Sequence, residues 1–96
     1  MNTSEQATAD LLDSLGVRWE YEPWEFVLAR NDDGVTLEGF RPDFYICEHD
    51  FYIEVTMARQ PHTTRKNRKA RLTRQLHGVR VEILYRRDFL TPKTLR

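Results

Sequence analysis

The segment Arg41-Pro42-Asp43-Phe44-Tyr45-Ile46, followed after a short turn by Phe51-Tyr52-Ile53-Glu54-Val55-Thr56, constrains the fold of this chain more than any other. Both halves read as strands, rich in aromatic and β-branched residues. Each carries one carboxylate, Asp43 or Glu54, among apolar neighbours where charge is normally excluded. An unpaired buried charge is expensive, so two of them close together call for a cation. Hard divalent ions such as Mg²⁺ are held by one or two carboxylates together with substrate phosphates. The pattern therefore points to a metal site suited to phosphodiester chemistry.

A length of 96 residues predicts a single domain spanning 1–96. Two Trp, four Tyr and five Phe are enough for a small core. No apolar run approaches the ~18 residues of a membrane span, and the polar, acidic start is unlike a secretory signal. A single cysteine, Cys47, excludes an internal disulfide and a cysteine-based zinc cluster. The expectation is a cytoplasmic protein. The histidines His49, His62 and His77 do not form a ligand cluster by spacing.

The net charge of zero hides a split. Residues 1–58 carry thirteen acidic side chains and three basic ones, whereas residues 59–96 carry twelve basic and two acidic. Such asymmetry points toward a polyanionic partner. The cations concentrate in Arg65, Lys66, Arg68, Lys69, Arg71 and Arg74, with no acidic residue among them. Contact with phosphates is expected, giving affinity without sequence readout.

Thr3 and Gln6 form a candidate capping box for a first helix that stops at Gly16. Helical spacing puts Glu5, Thr8, Leu12 and Leu15 on one stripe. Val17 to Leu28 reads as a strand, with Pro23 marking an edge or a bulge. Asn31-Asp32-Asp33-Gly34 is a hairpin turn. Val35 to Ile46 forms the next strand, interrupted near Gly39 and Pro42, and Cys47 to Asp50 forms a second turn. Phe51 to Met57 is the third strand, with Glu54 and Thr56 on one face. A second helix capped by Thr63 or Thr64 runs to His77, with Gly78 beyond it. Val79 to Tyr85 is the last strand, and Arg87 to Arg96 a short helix or tail. The expected architecture is α/β: helix, three-stranded meander, helix, strand, giving a mixed sheet flanked by helices. The last strand should lie parallel to the third.

Pro42-Asp43 followed by Glu54-Val55-Thr56 resembles the PD-(D/E)xK nuclease signature. The match is most similar to phage Holliday-junction resolvases of the endonuclease I type. It includes a Glu in the first helical turn, Leu-Asp-Ser-x-Gly-Val at the helix end, and Trp-Glu-Tyr-Glu-x-Trp. It spans residues 3 to 86 and implies a restriction-endonuclease-like core. By resemblance, Glu5, Asp43, Glu54 and the backbone carbonyl of Val55 ligate Mg²⁺ or Mn²⁺, with Glu20 and Glu22 as alternatives to Glu5. The implied activity is metal-dependent endonucleolytic cleavage of DNA, in branched or otherwise structured substrates, by a homodimer. The departure is Thr56, where the pattern expects Lys. Candidate replacements are Lys66, which is preferred, Lys69, Arg59 and His62. Alternatively, Thr56 orients water beside the metal. A rival reading is a non-catalytic nucleic-acid-binding or assembly module on a degenerate nuclease fold.

Overall fold

A computed structural model describes residues 1–57, 60–85 and 88, with the backbone alone at 60–63. Helix α1 spans Thr3–Ser14. Its cap is Asn2, one residue earlier than expected. Asn2 Oδ1 accepts from the Glu5 backbone N–H at 2.8 Å, and Glu5 Oε1 accepts from the Asn2 backbone N–H at 3.2 Å. Asn outranks Thr as a cap, and a carboxylate in the first turn is favoured by the helix dipole. Gly16 takes φ +72° just beyond the helix, as its position predicts. The buried face is Thr8, Ala9 and Leu12. Leu15, expected on that stripe, is exposed instead because it is already the C-cap.

The strands are β1 Trp19–Tyr21, β2 Phe26–Arg30, β3 Thr36–Phe40, β4 Phe44–Ile46 and β5 Phe51–Thr56. The three-stranded meander is corrected to five strands, because each of the first two runs breaks in the middle. Glu22 adopts φ +45° immediately before Pro23, and Pro42 lacks an N–H for the ladder. β1 and β4 therefore join the main sheet, while β2 and β3 form a separate antiparallel hairpin. Its turn is held by Asn31 Oδ1, which accepts from the backbone N–H groups of Asp33 and Val35.

Helix α2 spans Gln60–His77 and leads to β6, Val81–Tyr85. It starts earlier than Thr63, since Pro61 in a first turn forfeits no intrahelical bond. The sheet order is β1-β4-β5-β6, with β5 and β6 parallel as expected and the other pairs antiparallel. The result is a small α/β fold with a mixed sheet and two helices. The expected tail Arg87–Arg96 lies outside the described residues, apart from Asp88. Among the described residues, no helix is long and apolar enough to cross a membrane.

Side chains alternate across the sheet. Phe44, Ile46, Ile53 and Val55 pack with Ala9 and Leu12 of α1. Tyr52 and Val81 pack on the other side with Phe26 and Phe40 of the hairpin and Ala70 of α2. Each large side chain so buried contributes roughly 1.5–3 kcal/mol. β5 is therefore covered on both faces. Glu54 and Thr56 alternate with Ile53 and Val55, as the spacing predicts, and both are buried.

Candidate active site

Asp43 directly precedes β4. The β4–β5 register pairs Phe44 with Ile53, and one further step sets Asp43 opposite Glu54. Both carboxyls are drawn into the protein, at 9% and 6% exposure. Asp43 Oδ2 accepts from the Val55 backbone N–H at 2.8 Å, which fixes the side chain across the strand pair. Glu54 Oε2 lies 3.2 Å from Lys66 Nζ on α2, whereas its Oε1 is buried without a partner.

Burial pushes the Glu54 carboxyl up to about 7, and the charge of Asp43 adds to the effect while the Lys66 ammonium opposes it. Burial also raises Asp43, and the Val55 N–H opposes that rise. Two ionised carboxylates have no proton to donate to each other. The unpartnered Glu54 oxygen therefore requires either a shared proton or a cation.

Glu5 stands at the border of this pair. Its negative charge helps to raise Asp43, so the two are electrostatic neighbours. Its oxygens are already engaged: the Tyr21 hydroxyl donates at 2.6 Å, and the Asn2 backbone N–H and side-chain amide each donate at 3.2 Å. That bond holds the Tyr21 phenol protonated far above its ordinary range. Tyr21 was not singled out in the sequence, although its alternation with Trp19 along β1 gave the signal. Glu20 and Glu22 are exposed beyond the pair, and the Glu22 backbone N–H donates to the Asp43 carbonyl at 2.8 Å. Among the described residues, no three His, Cys, Asp or Glu side chains form a metal-binding group. The structure thus brings two of the three expected carboxylates together.

Of the candidate replacement cations, Lys66 is at the pair. Its Nζ also donates to the Val55 carbonyl at 3.1 Å. Lys69 turns to the hairpin, where it donates to the Gly39 carbonyl at 3.1 Å. The side chains of Arg59 and His62 lie outside the described residues. Thr56 is buried, beside Tyr85 of β6.

The remaining helix cations divide into two groups. Arg68 grips Glu38 of β3 through two contacts of 2.6 and 3.3 Å, and Arg74 donates twice to the Val81 carbonyl at 3.0 and 2.7 Å. Arg65 and Arg71 are exposed, and neither has an ion pair among the described residues. The acid missing from α2 itself is thus supplied by Glu38, 30 residues away, a separation that helical spacing cannot reveal.

No protein-family model, curated protein or solved structure matches the chain.

Proposed function

We propose that the chain is a metal-dependent endodeoxyribonuclease with a PD-(D/E)xK-type, restriction-endonuclease-like core. The observation that carries this reading is the buried Asp43–Glu54 pair with an unpartnered Glu54 oxygen beside the Lys66 ammonium. Such a donor set suits Mg²⁺ or Mn²⁺, which need few protein oxygens when phosphate and water complete the shell. Asp43, Glu54 and the Val55 carbonyl would hold the ion, with Glu5 bordering them. Bound there, the ion would supply Lewis acidity and make a nearby water more acidic.

The protein groups have separate tasks. The Val55 N–H fixes the orientation of Asp43, and two covered sheet faces exclude water around the carboxyls. Lys66 offers the positive charge that Thr56 lacks, toward a scissile phosphate. Arg65 and Arg71, exposed on the same helix, would receive neighbouring backbone phosphates. A branched or structured DNA substrate and a homodimer follow from the resemblance alone.

A specific observation favours a second reading. Lys66 already pairs with Glu54, and position 56 is a buried Thr, so the fold serves equally as a non-catalytic nucleic-acid-binding or assembly module. One experiment separates the two. Supercoiled plasmid and a four-way junction are incubated with the protein in Mg²⁺, Mn²⁺ or EDTA, beside Glu54→Ala. Metal-dependent cutting that the variant loses supports the nuclease, and binding without cutting by both proteins supports the module.

A further inference from the structure

We infer that the Lys66 ammonium is the resident occupant of the cation seat between Glu54 and the Val55 carbonyl, and that a divalent ion must displace it. The inference rests on the metal-site reading given above.

The geometry gives the reason. Lys66 Nζ stands 3.2 Å from Glu54 Oε2 and 3.1 Å from the Val55 carbonyl oxygen, so a side-chain and a backbone oxygen of β5 converge on one positive charge. A Mg²⁺ or Mn²⁺ ion binds oxygens at about 2.0–2.2 Å. It cannot share these two acceptors with an ammonium at hydrogen-bond distance without severe charge repulsion. The two cations are therefore alternatives.

Lys66 is also built to leave. Its side chain is 37% exposed while that of Glu54 is 8% exposed, so the amine has a route to solvent and the carboxylate does not. Four rotatable bonds let the head swing while the stem stays on α2. Lys66 thereby acquires two positions: counter-ion of the carboxyl pair without metal, and a free cation at the mouth of the site with metal. In the second position it can meet a phosphate, which connects the lysine's location on a helix to the absence of one at position 56.

The test is Mn²⁺ binding to the metal-free protein by titration calorimetry, with Lys66→Met, Lys66→Arg and Lys69→Met compared. Lys69→Met removes the same charge from the same helix without vacating the seat, because Lys69 is bound to Gly39. Lys66→Met should bind Mn²⁺ at least about tenfold more tightly than the unaltered chain, and Lys69→Met less than about threefold. Lys66→Arg should bind more weakly, since guanidinium grips a carboxylate with two donors. In the unaltered chain, Mn²⁺ should raise acylation of Lys66 by an amine-reactive ester relative to Lys69, a readout that holds even if Lys66→Met does not fold. Equal tightening by Lys66→Met and Lys69→Met, or unchanged Lys66 labelling with Mn²⁺ bound, overturns the inference while leaving the metal site standing. Absence of Mn²⁺ uptake by every protein, at concentrations up to millimolar, overturns the metal-site reading and this inference with it.

Discussion

Asp43 and Glu54 face each other across the β4–β5 ladder, and the backbone N–H of Val55, the residue after Glu54, donates to Asp43 at 2.8 Å. Main-chain pairing thus sets the two acids opposite each other, and a main-chain donor fixes Asp43, while Glu54 is met by the Lys66 side chain. Their separation is set by the sheet, and a cation or a proton is what makes the arrangement tolerable. The consequences can be measured.

The buried pair gives stability a pH dependence of defined sign. The Glu54 carboxyl is raised from its ordinary 4.5 to about 7, so the folded protein binds this proton more tightly than the unfolded chain. Its favourable contribution is complete below about pH 4.5, falls as pH rises toward 7, and is gone above that. Asp43 acts in the same direction. Metal-free protein should lose up to about 3 kcal/mol of stability from this source between pH 5 and pH 8. Glu38 and Glu48, lowered by Arg68 and Arg18, act with the opposite sign, as pH falls. Urea midpoints measured at both pH values check this, with Glu54→Gln expected to flatten the slope. An unaltered slope in that variant would mean that Glu54 titrates normally.

Removing the lysine should separate stability from catalysis. Lys66→Ala leaves the carboxyl pair without its counter-ion, and the half-exposed amine limits the cost to about 1–2 kcal/mol. If the protein cuts DNA, loss of this charge should lower the cutting rate by about 10²–10³-fold at saturating Mg²⁺. Single-turnover cleavage and thermal melting together test the claim. A variant that cuts as fast as the unaltered chain removes Lys66 from the chemistry.

The junction between α1 and β1 should depend on the doubly engaged Glu5. Asn2→Ala removes the helix cap and the side-chain amide donor to the carboxylate, leaving the backbone donor in place, at about 1 kcal/mol. Tyr21→Phe removes the 2.6 Å hydroxyl contact, a hydrogen bond to a charged group, and should also lower stability. Because the two share Glu5, the double variant should cost less or more than the sum, and a denaturation double-mutant cycle reads the difference. Strict additivity would show that Glu5 does not link them.

The helix cations should differ in their contribution to DNA binding. Arg65 and Arg71 are exposed, whereas Arg68 is paired with Glu38 at 2.6 Å. Arg71→Ala should reduce the slope of log K against log salt by about 0.9, the amount expected for one phosphate contact on duplex DNA. Arg68→Ala should change the slope by about half as much or less, since that guanidinium has an internal anion. Equal changes in fluorescence-anisotropy titrations would place Arg68 on the DNA as well.

The local elements were legible because their signals are short-range. Gly16 and Gly78 end the helices, Asn31 to Gly34 makes the turn, and the alternation along β5 puts Glu54 and Thr56 on one side. The breaks at Pro23 and Pro42 were visible as irregularities, but not as changes of sheet. A proline removes a ladder bond without saying which sheet the chain joins next.

Local pattern was enough to identify the pair of strands carrying Asp43 and Glu54, a helix bearing an acid in its first turn, and a cation-rich second helix. Periodicity and capping act within a few residues, so composition and spacing suffice for them. Which charges meet is a matter of how the elements pack. Lys66 reaches Glu54, Lys69 and Arg68 turn to the hairpin, and Glu5 is held by Tyr21 instead of joining the carboxyl pair directly. Those choices follow from where the β5–α2–β6 crossover sets the helix over the sheet and where the β2–β3 hairpin docks. They are long-range packing outcomes that no local pattern encodes.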